Sequence, residues 1–393
     1  MGAKEEISHE NVTRADVEAL LQNFPFPFPL AEFKVLFGGY SGTSIKVVGA
    51  KGEAFVLKIC HGYEKADVEA QARVAVYART HGFSEACTAI ALKGQTGVFS
   101  VERKSDKTPC CLLTFVDGVA ADKVAESGTV TASAVLQAVG SGLGRLHSVP
   151  PPSTGSAAAA SVRTVETNGA CDVRKHLSGE ISEIFASSLA VKGHAFLPFY
   201  EEQVASLQRA FTADGLPRGV LHGDPFLDNI LVSPLDGHLE GFVDLEDVCI
   251  GPLLFDIACC ASACCFRPHD NALDARRLRV LLTGYAAARP LSEVEKSLFV
   301  DFMKLTMLCN WCVPPPCCPP LFGCWIKRPP APSAWLGLAR LRAHHLAALS
   351  RRCLPSSAAR GASRTSTLTT ASSRAAATRT WSCRSASRRS RTT

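Results

Sequence analysis

The sequence predicts an α+β fold in two lobes, and three observations predict it. Strand-like segments crowd the first third, helix-like segments dominate the middle third, and an apolar strand–loop–strand unit interrupts them over 219–245. At 393 residues the chain exceeds one average domain, which agrees with two cores.

The first expected element is a short helix over 13–22. Thr13 is its N-cap, Asp16 stands three positions on, and Val17, Leu20 and Leu21 form the apolar face. In Phe24-Pro25-Phe26-Pro27-Phe28-Pro29 the prolines remove donors and fix φ at alternate positions, so the run reads as an extended connector. Strands are expected at 34–37, 45–48 and 54–59, joined by turns at 38–44 and 49–52 into an antiparallel meander. A helix over 64–80 ends near Gly82, and strands are expected at 88–92, 97–101 and 110–116. A helix over 130–147 leads to a Pro/Ser/Ala linker over 150–161, then a largely helical stretch over 172–213. Apolar helices fill about 253–310. These readings give a first lobe over 1–116 and a second over 117–310.

Composition narrows the function classes. Hydrophobic residues make up 47% and charged residues 20%, which describes a globular protein with a sizeable core. No uncharged apolar run of 18 residues is found, so a transmembrane helix is not expected. Met1–Glu10 carries acidic residues and no apolar core, unlike a signal or transit peptide, so a cytoplasmic location is the default expectation. The 17 cysteines then read as reduced thiols, several of them in the apolar context of Cys259, Cys260, Cys264 and Cys265.

Charge divides the chain unevenly. The net +6 combines 27 basic and 36 acidic residues up to Asp301, a net of −9, with 15 basic and no acidic residues after it. From Trp311 the proline run Val313-Pro314-Pro315-Pro316 breaks the helical pattern, and beyond Arg351 the chain is nearly all Ser, Thr, Ala and Arg. Residues 311–393 read either as a disordered basic arm for nucleic acid or acidic lipid, or as out-of-frame sequence. We favour the latter and draw no nucleic-acid partner from them. Cys309, Cys312, Cys317 and Cys318 have zinc-like spacing without a coherent second pair, so no zinc site is expected.

The strongest chemical signal is Val220-Leu221-His222-Gly223-Asp224-Pro225-Phe226-Leu227-Asp228-Asn229-Ile230-Leu231-Val232, followed by Asp244 in Gly241-Phe242-Val243-Asp244-Leu245-Glu246-Asp247. An apolar strand delivers a loop bearing one carboxylate. The loop presents an amide five residues on, and a second apolar strand ends in another carboxylate. Phosphoryl transfer needs this set: Asp224 to accept the hydrogen bond of an attacking hydroxyl and orient it, Asn229 and Asp244 to offer oxygen ligands to Mg²⁺ on the phosphates. Most of the rate then comes from positioning and charge neutralisation.

This pair of loops resembles the aminoglycoside phosphotransferase-like superfamily, whose members carry an H-G-D-x-x-x-x-N loop and a later Asp, and which shares its fold with protein kinases. The resemblance covers about residues 30–310. It implies a bilobal protein-kinase-like fold with a small antiparallel-sheet lobe and a larger helical lobe, and it implies ATP and Mg²⁺ as cofactors. By the same resemblance Lys58 would meet the α/β-phosphates, with Glu69 as its ion-pair partner in competition with Glu64 and Asp67. The turn containing Gly39, Ser41, Gly42 and Thr43 would close over the phosphates, and Phe115 would lie in the hinge that reads the adenine edge. His147 is expected to be structural, and Asp256 is similar to the family aspartate that braces the catalytic loop. Glu246 and Asp247 would touch metal or substrate, or brace the loop.

Within the superfamily, the stretch from Val243 to Asp256, with Gly284-Tyr285, Arg289-Pro290-Leu291 and Glu293, is similar to the homoserine kinases of this fold. That implies L-homoserine as the small hydroxyl-bearing substrate, with choline, hydroxylysine or an aminoglycoside as alternatives. A catalytically silent nucleotide-binding member is the further alternative, against which the intact Asp224, Asn229 and Asp244 argue. Two departures stand out: the turn lacks the Asn usual near Thr43, and the resemblance stops after Asn310. No motif sets an oligomeric state.

Overall fold

The computed structural model describes residues 12–36, 42–153, 197–211, 213–267, 270 and 272–311. The expected linker beyond 153, most of the expected helical stretch over 172–213 and the tail from 312 onward lie outside the described residues.

Helix α1 (Arg14–Leu21) starts as its sequence demands. Thr13 accepts from the Asp16 amide, and the Asp16 carboxylate accepts from the Thr13 amide at 3.0 Å. Its buried face, Val17, Leu20 and Leu21, packs with Phe24 and Phe26 onto Ile45, Val47, Leu57 and Ile59 of the first sheet. Each such fully buried side chain contributes about 1.5–3 kcal/mol. The alternating Phe/Pro connector is therefore core material as well as a spacer.

The first sheet contains β1 (Glu32–Leu36), β2 (Gly42–Val48), β3 (Ala54–Cys60), β4 (Ser100–Glu102) and β5 (Pro109–Thr114), in the order β1-β2-β3-β5-β4. All its pairings are antiparallel. Lys58 lies on the central strand, opposite Ser44 on one side and Cys111 on the other. Helix α2 (Lys65–Thr80) covers this sheet. The strand expected at 88–92 reduces to a bridge between Ala89 and Leu113. The amide of its neighbour Cys87 donates instead to the carbonyl of Phe242, in a later strand, at 3.0 Å. This segment therefore stitches two sheets together and cannot lie flat in either.

The second half begins with β6 (Val119–Ala120), α3 (Ala121–Ser127) and α4 (Ala132–Leu146), and continues with α5 (Leu197–Phe211). Four short strands come next: β7 (Arg218–Leu221), β8 (Ile230–Val232), β9 (Leu239–Phe242) and β10 (Cys249–Pro252). They do not form one sheet. β7 pairs with β10, while β8 pairs with β9 and β6. The loops 222–229 and 243–248 therefore each cross from one ribbon to the other, side by side. Helices α6 (Leu254–Cys264), α7 (Ala275–Ala288) and α8 (Glu293–Trp311) complete the helical core.

Helices α4 and α7 approach unusually closely. A Cβ on Gly140 would lie 2.1 Å from Leu281 O, one on Gly144 2.6 Å from Tyr285 O, and one on Gly284 2.2 Å from Gln137 O. Only a residue without a side chain fits at these crossings. Among the described residues no helix is long and apolar enough to cross a membrane. Cys259, Cys260, Cys264 and Cys265 are buried thiols outside any disulfide.

Candidate active site

The 222–229 loop is shaped by its backbone first. Gly223 has φ +88, and a Cβ there would lie 2.2 Å from the Asp247 carbonyl oxygen of the neighbouring loop. Glycine is required twice over, by conformation and by space. Gly223→Ala is expected to destabilise the chain by roughly 2–4 kcal/mol through strain and a displaced 243–248 loop, read as a lower urea midpoint. A midpoint equal to wild type would mean the two loops do not touch.

Asp256, at the start of α6, holds the same loop from beneath. It is fully buried and accepts from the His222 amide at 2.6 Å and the Gly223 amide at 3.0 Å. His147 Nε2 lies 3.1 Å from its Oδ2. The bracing role expected of Asp256 thus has three bonds, and His147 is buried among them. His222, also buried, donates from Nε2 to the Val243 carbonyl at 2.9 Å and accepts from the Asp224 amide at Nδ1. One neutral imidazole thereby ties the two loops together, and burial holds its pKa down, against the nearby Asp256 charge.

Asp224 and Asn229 meet directly. Asn229 Nδ2 donates to Asp224 Oδ2 at 2.9 Å and to the Asp224 carbonyl at 3.0 Å, which leaves Oδ1 as the atom Asn229 can offer to a cation. Burial pushes the Asp224 carboxyl up to about 7, helped by the charges of Asp247, Asp244 and Asp228 and opposed by the Asn229 bond. A carboxylate poised near neutrality suits a group that must take a proton from an alcohol.

Asp244 sits in the left-handed region, φ 59 and ψ 58, which a non-glycine residue occupies only when its surroundings enforce it. The turn aims its Oδ1 at Lys58 Nζ, 2.7 Å away. Glu246 Oε1 also contacts Lys58 Nζ, and Tyr63 OH donates to Glu246 Oε2 at 3.1 Å. Burial works to raise the Asp244 carboxyl, but the Lys58 ammonium outweighs it and holds the carboxyl below its ordinary range. Burial likewise works against the Lys58 charge, and the two carboxylates more than offset it, so its pKa stands well above that of a free lysine. The first sheet and the 243–248 loop are thus joined by a partly buried ion triad.

The expected pairing of Lys58 with Glu69 is not made. Glu69 accepts from the Phe99 and Ser100 amides at 3.0 and 2.8 Å and from the Ser100 hydroxyl at 2.7 Å, which satisfies it at the edge of β4. Neither Glu64 nor Asp67 replaces it, since their side chains form a capping box at the start of α2. Sequence reasoning did not assign Glu246 to Lys58, nor Tyr63 to Glu246. For Glu246 a signal existed, two positions past Asp244; for Tyr63 there was none.

Gly42 and Thr43 lie on β2 next to Lys58, where Thr43 Oγ1 is 3.1 Å from His61 Nε2. Gly39 and Ser41 lie outside the described residues. Phe115 directly follows β5, with Lys46 Nζ 4.2 Å from its ring centroid.

The donor set fits a hard divalent cation. Asp244 already receives one cation, the Lys58 ammonium, and Asn229 Oδ1 lies on the adjoining loop. Among the described residues no three His, Cys, Asp or Glu side chains converge as a ready metal cage. Few protein ligands with the remainder from phosphate suit Mg²⁺ better than a structural metal.

Residues 32–291 match the family described as "Phosphotransferase enzyme family". Among curated proteins, the homoserine kinase of Xanthobacter autotrophicus is 39% identical over 104 residues, 25% of this chain and 32% of that one. The homoserine kinase of Brucella ovis is 34% identical over 148 residues, 36% of this chain and 42% of that one. The matched stretches thus span less than half the length of those relatives. Among solved structures, the amicoumacin kinase hAmiN superposes with a TM-score of 0.59 at 14% identity, covering 88% of this chain and 96% of that one. The Plasmodium vivax ethanolamine kinase superposes with 0.50 at 14%, covering 71% and 74%. These two similarities carry the bilobal α+β fold.

Proposed function

Because the chain belongs to the phosphotransferase enzyme family, we propose that it moves the γ-phosphate of ATP to the hydroxyl of a small metabolite, L-homoserine. The observation that carries this reading is the meeting of Asp224, Asn229, Asp244 and Lys58 on two adjacent loops and one strand. Asp224 would take the hydrogen bond, and finally the proton, of the acceptor hydroxyl. Lys58 would hold phosphate oxygens with its ammonium, and Gly42 and Thr43 would flank them. The backbone near Phe115 would meet the adenine edge. Asp244 and Asn229 would hold Mg²⁺, which when bound neutralises charge on the transferring phosphates.

The choice of acceptor is supported by the curated relatives, which are homoserine kinases at 34–39% identity over the matched stretches. We also place it in the cytoplasm, where the nine buried thiols among the described residues would stay reduced. The test is a coupled ADP-release assay with Mg-ATP and a panel of L-homoserine, choline, hydroxylysine and an aminoglycoside. We expect kcat/KM for L-homoserine to exceed the others by at least about 100-fold, since a site built to pair a substrate's polar groups rejects analogues that leave them unpaired. Preferred turnover of another acceptor would overturn the substrate assignment. No turnover with any of them would favour a silent nucleotide binder.

A further inference from the structure

Beneath the catalytic loop runs a chain of buried hydrogen bonds that the reaction itself does not use. From Asp256 it passes to His147 Nε2 at 3.1 Å, and from His147 Nδ1 to Tyr285 OH at 2.8 Å. Arg289 Nη1 then donates to Tyr285 OH at 2.8 Å and to Glu295 Oε1 at 2.9 Å. Glu295 is fixed in turn by the Ser292 amide at 2.8 Å. Asp256, Tyr285 and Glu295 are fully buried and His147 is 4% exposed, so water does not reach the links between Asp256, His147 and Tyr285, while Arg289 is partly exposed.

With a neutral His147 ring, one order of donors satisfies every link in this chain. Arginine can only donate, so its bond to the Tyr285 oxygen uses a lone pair and leaves the phenolic hydrogen to be given elsewhere. His147 Nδ1, 2.8 Å away, is the acceptor placed to take that hydrogen. The imidazole therefore carries its proton on Nε2 and donates it to Asp256. In the opposite tautomer a nitrogen lone pair would face a carboxylate oxygen, and Asp256 would lose a bond while being repelled. Asp256 is the group that accepts the His222 and Gly223 amides, immediately ahead of Asp224.

We propose that Tyr285, Arg289 and Glu295 are positioning residues for the phosphoryl-transfer loop, fixing the tautomer of His147 and through it the carboxylate of Asp256. They reach the loop from α7 and the start of α8, well outside the 222–247 stretch that bears the chemistry. The kinetic part of this proposal rests on the phosphotransferase reading; the tautomer part does not.

The test is ¹⁵N NMR of the histidine side chains in the full chain, with His147 assigned by difference from His147→Asn, alongside steady-state kinetics with the best acceptor. Wild-type His147 is expected to show a protonated Nε2 and a bare Nδ1. Tyr285→Phe should lose that signature and lower kcat about tenfold, with KM for ATP within twofold of wild type. Arg289→Met should move both readouts the same way by less. Leu282→Ala, which trims a buried apolar neighbour on the same helix, should lower Tm and leave the tautomer and kcat unchanged. An unchanged Nε2–H signature in Tyr285→Phe overturns the proposal, as does a kcat loss that Leu282→Ala reproduces. If both relay variants fail to fold, the residues are core contacts and the proposal fails. A wild type inactive with every acceptor would remove the kinase reading alone, since the NMR signature still decides the relay.

Discussion

Asp224→Asn is expected to lower kcat by about 1,000-fold and, above neutral pH, to raise the melting temperature. The first effect comes from removing the carboxylate beside Asn229 that, under the proposed function, would take the acceptor's proton; general-base contributions run from about 10² to 10⁴. The second comes from the crowding of Asp224. Its folded-state pKa of about 7 lies far above the ordinary aspartate value, because burial and the carboxylates of Asp247, Asp244 and Asp228 oppose its charge. Between about pH 4 and pH 7 the folded chain holds a proton that the unfolded chain has lost. Stability therefore falls as pH rises across that window, and the full deficit is present above about 7. Asparagine has no charge to crowd, so the variant should gain on the order of 1–3 kcal/mol over wild type at pH 8 and little at pH 4. Thermal melts at the two pH values and the ADP-release assay check both parts. Turnover within tenfold of wild type would remove Asp224 from the mechanism, and equal melting curves at pH 8 would remove the crowding argument.

Asp244→Asn is expected to raise the Mg²⁺ concentration for half-maximal rate by at least about 100-fold. Residues that merely support a metal ligand already cost about 10–100-fold when changed, and Asp244 would be one of only two protein ligands. Asparagine is the informative replacement because it tolerates the left-handed backbone found there, so the turn survives and only the charge is lost. Lys58 keeps Glu246 as a partner, which limits structural damage. A Mg²⁺ titration at fixed ATP reads the outcome. An unchanged titration would place the cation elsewhere.

The legible parts of this molecule were those encoded locally. Asp224 and Asn229 could be paired because they stand five positions apart in one short loop between two apolar strands, which leaves the loop little choice. Thr13 and Asp16 announced α1 for the same reason: both halves of the capping box lie within one turn. The partner of Lys58 was not legible in this way. Asp244 stands 186 positions away, and the choice between its loop and α2 is made by tertiary packing, in which Glu69 is claimed by the Phe99 and Ser100 amides. The strand–loop–strand unit was read as one piece because β7 and β8 are consecutive. Their separation depends on β10, whose four residues, including Gly251 and Pro252, carry no alternating pattern of their own.

The glycine crossing of α4 and α7 has an evolutionary corollary. Gly144 and Gly284 act as a ruler that sets how far the His147 ring stands from the Tyr285 phenol. A single methyl at either position would wedge the helices apart, and a gap even about 1 Å wider than 2.8 Å is no longer a hydrogen bond. Under the proposed relay, helix spacing and polar wiring are therefore expected to change together at these two positions.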